Sequence, residues 1–134
     1  MASIFTKIIK GEIPSYKIAE TEKYFAFLDI NPNAKGHTLC VPKREVDKIT
    51  DLDRETYLGL MDFAIKIGRA LEATVRCKRV GMTVIGLEVP HVHVHLIPLN
   101  EMKEATFQHK VRLSPAEFET LADKIRAELK KNPL

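Results

Sequence analysis

The stretch His91-Val92-His93-Val94-His95-Leu96-Ile97 alternates polar and apolar side chains with a strict period of two. That period is the signature of a strand, in which successive side chains point to opposite faces. His91, His93 and His95 therefore share one face, roughly 6 to 7 Å apart, while Val92, Val94 and Leu96 line the other. Pro98 is expected to end the strand. A solvated strand that happens to carry histidine is a poor account, because three of the chain's five histidines fall on one face within five residues. Two chemical readings stand. In the first, His-x-His offers two imidazoles to a metal, with His37 or a carboxylate as third ligand. The chain has no HExxH and no cysteine cluster to strengthen it, and Glu88 is the only acid near the triad in sequence. In the second, a neutral imidazole attacks phosphorus while its neighbours fix the tautomer and donate to phosphate oxygens. This second reading explains why three rings stand in line rather than two.

Working outward, Ser3 caps a short helix in which Ile4, Phe5, Ile8 and Ile9 share a face, stopped by Gly11 and Pro14. Tyr16 to Ala19 and Tyr24 to Asp29 read as a hairpin through Glu20-Thr21-Glu22-Lys23. Asn31-Pro32-Asn33-Ala34-Lys35-Gly36 is a loop, and His37 to Val41 a third strand closed by Pro42. Asp51 or Asp53 caps a long helix from Arg54 to Val75, with Leu58, Met61, Ile65 and Leu71 predicted as its buried stripe. A β-rich segment, Arg79 to Ile85, leads into the histidine strand. Ser114-Pro115-Ala116-Glu117 opens a last helix over 114–131, with Phe118, Leu121, Ala122, Ile125 and Leu129 as its apolar face. Helices separated by runs of strands joined through short turns predict an α+β fold: an antiparallel sheet, a long central helix, and short N-terminal and C-terminal helices.

At 134 residues and 45% apolar composition the chain has material for one core, and residues 1–134 are expected to form a single domain. The net charge of +3 is spread along the whole length, so no basic arm suggests a nucleic-acid partner and no polybasic patch suggests a membrane. No apolar run approaches the ~20 residues of a membrane span. Cys40 and Cys77 form no CxxC pair, and Met1 to Lys10 reads as an amphipathic helix rather than a secretory leader, so reduced thiols and a cytoplasmic setting are expected.

The triad and its surroundings resemble the histidine triad, or HIT, family of nucleotide hydrolases and transferases. The similarity extends to Ser3-Ile4-Phe5, Lys7-Ile8-Ile9, Glu12-Ile13-Pro14, the run Ala26 to Pro32 and the run Gly36 to Lys43, in that family's order. It covers about Ser3 to Pro98. The resemblance implies a HIT-like fold, a homodimer and a purine nucleotide as substrate, with no cofactor or metal. It implies His93 as the nucleophile that forms a nucleotidyl adduct, His95 as the phosphate contact, and His91 and His37 as supporting histidines. Asp29 would accept hydrogen bonds from the ribose, and Ile4, Phe5, Ile8, Phe27, Leu39 and Val89 would contact the nucleotide. Leu60, Phe63 and Ile67 on the long helix are the candidate contacts to a second copy.

The chain departs from the family at Gly86-Leu87-Glu88-Val89, where many members carry Gly-Gln-Ser/Thr-Val. A hydroxyl both donates and accepts, whereas a carboxylate only accepts. Buried and protonated, Glu88 would serve as a general acid toward the leaving group; otherwise it pairs with a nearby histidine or turns outward. The path from Arg79 to Gly86 also lacks the Asn- and Gly-containing loop of several relatives, and no CxxC marks the zinc site that some bacterial relatives build near the N-terminus. The expected activity is cleavage at the α-phosphate of a phosphoramidate or dinucleoside polyphosphate. A nucleotide-binding regulatory module without turnover is the alternative, and a metal-dependent hydrolase the third reading.

Overall fold

The computed structural model describes residues 2–134. In chain order it contains α1 (Ile4–Ile9), β1 (Lys17–Glu20), β2 (Tyr24–Leu28), β3 (Thr38–Pro42), a 3-10 turn (Ile49–Asp51), α2 (Arg54–Thr74), β4 (Arg79–Thr83), β5 (Val94–Leu99), a second 3-10 turn (Met102–Ala105) and α3 (Pro115–Lys131). The strands form one antiparallel sheet in the order β1-β2-β3-β5-β4. The α+β fold with a long central helix is the one expected.

Alternation along the strands sorts the side chains into two layers. Tyr24, Ala26, Leu28, Cys40, Val94 and Leu96 face α2 and α3, where they meet Leu60, Phe63, Ile67, Leu71, Phe118 and Ile125 in the main core. Phe25, Phe27, Leu39 and Val41 face the other way and are covered by Phe5 of α1. His93 and His95 share this second face with α1, so the chemistry sits across the sheet from the two long helices.

The helix ends follow their capping residues. Ser3 Oγ accepts from Thr6 N, Asp53 accepts from Thr56 N, and Ser114 forms a capping box with Glu117. Gly11, just past α1, has φ +78°, the left-handed conformation in which a missing Cβ removes the steric penalty.

Two expectations are corrected. The strand begins at Val94 rather than His91, because Val92 N bonds to Val46 O in the loop after β3, outside any strand ladder. It also runs through Pro98 to Leu99. β3 pairs with β5 only as far as Leu96, so Pro98 lies where that flank has no ladder to receive an N–H. The second correction concerns α2, whose buried residues are Leu60, Phe63, Ala64, Ile67, Gly68, Ala70 and Leu71. Leu58 and Ile65, expected inside, are 47% and 44% exposed. Both stripes recur at helical spacing, so periodicity alone does not choose between them. Ala64, fully buried, and Gly59, where a Cβ would collide with the Tyr24 hydroxyl of β2, mark the buried one. Ile67→Ala should lower the unfolding free energy by about 2 to 5 kcal/mol in urea titration, since this fully buried side chain would leave a cavity. A change under about 0.5 kcal/mol would contradict this assignment of the core face.

Candidate active site

The tautomer of each histidine follows from its partners. A carbonyl can only accept, so His91 Nε2–H donates to Pro42 O at 2.8 Å, and bare Nδ1 accepts from Ser3 Oγ–H at 2.7 Å. His91 thus holds the N-terminus of α1. Glu45 reinforces it, accepting from Ser3 N and Thr6 Oγ1, and these bonds hold its carboxyl down at about 2.

His93 Nδ1–H donates to His91 O at 2.7 Å, which leaves the Nε2 lone pair without a protein partner among the described residues. Burial pushes the His93 imidazole below its usual pKa, partly opposed by the bond to His91 O and by the charges of Asp29 and Glu88. The edge of Phe5 meets the ring at 4.8 Å between centroids. The result is a neutral imidazole, clamped on one nitrogen and open on the other.

His95 has the complementary arrangement. The Asn33 backbone N–H donates to His37 Nδ1 at 3.0 Å, so His37 carries its proton on Nε2 and donates to His95 Nδ1, also at 3.0 Å. His95 must then carry its proton on Nε2, as a donor. Burial, with the neighbouring cationic groups, pushes His37 down to about 3 and His95 down to about 4, so both rings stay neutral at pH 7. The His93 and His95 centroids are 4.8 Å apart, which sets a nucleophilic lone pair beside an N–H donor.

Asp29 Oδ1 accepts from Asn31 N at 2.8 Å, and Oδ2 lies 3.7 Å from His37 Nε2. Burial raises the Asp29 carboxyl above its ordinary pKa, with Asn31 N–H and Lys110 acting against it. Asp29, His37 and His95 are also the one group of described residues whose donor atoms cluster closely enough for a cation, within 4.8 Å. Its chemistry does not fit a metal. The Asn33 N–H occupies the Nδ1 lone pair of His37, so Nε2 keeps its proton and has no lone pair to offer.

A cavity of about 620 Å³ joins these groups, within the usual range for small-molecule sites. Ile4, Phe5, Leu39 and Val89 form an apolar wall, and Asp29, Glu88, His93 and His95 also line it. Four expected residues lie elsewhere. His37 and His91 are buried beneath the surface, and Phe27 stands behind Phe5, with ring centroids 5.5 Å apart. Ile8 packs into the same aromatic cluster and does not line the cavity. Glu88 is exposed on the rim, so the burial that a general-acid role requires is missing. The sequence reading missed Asn31, Ile85, Gly86, Leu87, Thr106, Phe107 and Lys110 as lining residues, and these complete the cavity. Phe107 and Lys110 follow the last strand in an irregular segment, where no periodicity or motif signals a site.

The HIT domain family model matches residues 10–102. The chain belongs to the HIT family. Among relatives, it is 42% identical over 103 residues to the adenosine 5'-monophosphoramidase HNT1 of Saccharomyces cerevisiae, covering 76% of this chain and 65% of that protein. It is 33% identical to the adenosine 5'-monophosphoramidase hnt1 of Schizosaccharomyces pombe, across 97% of this chain and 100% of that one. The crystal structure of a HIT-like protein involved in cell-cycle regulation from Bartonella henselae superimposes with a TM-score of 0.83 at 32% identity, covering 95% of this chain and 96% of that one. The HIT match ends at residue 102, so Phe107 and Lys110 lie beyond it.

Proposed function

We propose that this HIT protein is a nucleotide hydrolase that cleaves purine nucleotide conjugates at the α-phosphate through a transient nucleotidyl-His93 adduct. The observation that carries the reading is the free His93 Nε2 beside the His95 Nε2–H donor, both facing one cavity. Two adenosine 5'-monophosphoramidases among the relatives support it. The purine lies against Phe5 and Leu39, and Asp29 accepts from the ribose hydroxyls. His93 Nε2 forms a bond to phosphorus as the bond to the leaving atom breaks. The leaving group departs with that electron pair and takes a proton from solvent. His95 Nε2–H donates to a non-bridging oxygen, where charge grows in the transition state. Water then attacks phosphorus, releases the nucleoside monophosphate and restores neutral His93. Glu88 on the rim favours an amine leaving group over a polyphosphate, because a carboxylate there repels the additional phosphates of a polyphosphate.

The test is acid-quench mass spectrometry after mixing the protein with adenosine 5'-phosphoramidate in excess chelator. The expected result is one adenylyl group on the peptide containing His93, together with AMP release. AMP binding without adduct or product after long incubation would instead favour a regulatory module.

A homodimer is proposed as well, on a corrected surface. Leu60, Phe63 and Ile67 are core residues, so the candidate contact is the opposite stripe of Leu58, Met61 and Ile65, beside the open edge of β4. Ile65→Asp should convert the dimer to a monomer in sedimentation velocity. A variant that sediments as the wild type does would move the interface elsewhere.

A further inference from the structure

Asn33 is fully buried, and its backbone N–H and its two side-chain polar atoms each have a different partner. Its backbone N–H donates to His37 Nδ1 at 3.0 Å, its Nδ2 donates to Glu104 O at 2.9 Å, and its Oδ1 accepts from Lys110 Nζ at 2.8 Å. Lys110 also donates to Asn31 O at 3.1 Å, and Val111 N to Pro32 O at 2.9 Å. The segment after β5 is thereby fastened to the turn that precedes His37. Phe107 lies in the same segment with φ +63°, the one described non-glycine residue in the left-handed region. A side chain held there indicates that the surroundings dictate its place. Its ring stands edge-on to His95 at 4.8 Å, with Lys110 Nζ 5.2 Å from its centroid.

The order of bonds gives this clamp a chemical consequence. If the Asn33 N–H leaves His37 Nδ1, that nitrogen is free to take the ring proton, and His37 Nε2 becomes an acceptor. His95 must then donate from Nδ1, and its Nε2 presents a lone pair to the phosphate. A donor is replaced by an acceptor facing an anion.

We infer that Asn33, clamped by Lys110 and the Glu104 carbonyl, is a positioning residue that fixes His95 as a hydrogen-bond donor toward the phosphate. It acts through His37 and touches no substrate. The kinetic part of this inference rests on the hydrolase reading; the tautomer part does not. The experiment is long-range 1H–15N correlation on the full chain labelled at histidine nitrogens, near pH 7.5, where His37 and His95 are neutral. Wild type should show His95 protonated at Nε2 alone. Asn33→Ala should show mixed tautomers at His37 and His95, with kcat lower by roughly 10 to 100-fold and KM little changed. Asn33→Asp, which keeps the acceptor for Lys110, should recover part of both losses. Lys110→Gln, at an exposed position, should shift the tautomers in the same direction by less, and it decides the matter if Asn33→Ala does not fold. Folded variants that keep the wild-type His95 tautomer would overturn the inference. A tautomer shift in a protein whose wild type releases no AMP would uphold the positioning role and overturn the hydrolase reading.

Discussion

His93→Ala should abolish turnover of adenosine 5'-phosphoramidate, lowering kcat by about 10⁴-fold or more, the scale on which enzymes lose activity with their nucleophile. AMP affinity should change little, because Asp29 and the apolar wall of Phe5 and Leu39 are untouched. Calorimetric binding and single-turnover kinetics on the same variant separate these two effects. Neither His95 nor Asp29 offers a substitute. His95 Nδ1 is occupied by His37, and its Nε2 carries a proton. Asp29 is desolvated and held by Asn31 N. The pH profile follows from the same geometry. Burial sets the His93 pKa below its ordinary value, so the lone pair persists on acidification beyond the point where an exposed histidine is protonated. The acid limb of kcat/KM should therefore have its midpoint below about 6.5. Turnover by His93→Ala within tenfold of wild type would remove the basis for assigning this nucleophile.

How much of this was legible in the sequence depends on which residues carry it. The alternation of Val92, Val94 and Leu96 against the histidines named the two faces correctly even though regular pairing starts only at Val94. Direction along an extended backbone survives the loss of a ladder partner, so the pattern persists where the strand does not. The caps at Ser3, Asp53 and Ser114 were readable because they are local chemistry. The buried face of α2 was not, since apolar residues occupy two helical stripes and the choice depends on packing against the sheet, as at Ala64 and at Gly59 against Tyr24. At the site, His93 and His95 announce themselves by residue type and spacing, whereas Asp29 is reached only through the family resemblance. Asn33 and Lys110 do not announce themselves, because their roles arise from contacts between segments more than 70 residues apart, and Phe107 does not because it lies in an irregular segment with no periodicity. The exposure of Glu88 is likewise a property of the rim, which sequence does not encode locally.

His37→Leu should lower kcat by on the order of 10³-fold without removing any group that touches the substrate. A catalytic base set in the wrong tautomer by loss of its orienting partner loses about 10⁴-fold, and the loss here is smaller because His95 donates a hydrogen bond rather than transferring the proton. Leucine offers no N–H to His95 Nδ1, so His95 is free to place its proton on either nitrogen. It also leaves the Asn33 N–H without an acceptor in a fully buried position, which should destabilise the fold by about 1 to 3 kcal/mol. Thermal melts across pH separate stability from chemistry. In the folded protein His37 titrates at about 3 and His95 at about 4, against an ordinary value of about 6.5 in the unfolded chain. Between those values the unfolded state binds more protons, so stability rises with pH through this window and is lost on acidification. Above about 6.5 the contribution is complete. Asp29, whose pKa is raised, contributes with the opposite sign, losing stability as pH rises through its folded value. The wild-type Tm should therefore fall between pH 7 and pH 4.5, and His37→Leu should show a shallower fall, having lost the more strongly depressed of the two rings. An unchanged slope with normal kcat would show that the His37 to His95 bond sets neither the tautomer nor the pH response. A shallower slope with depressed kcat ties both to one buried hydrogen bond.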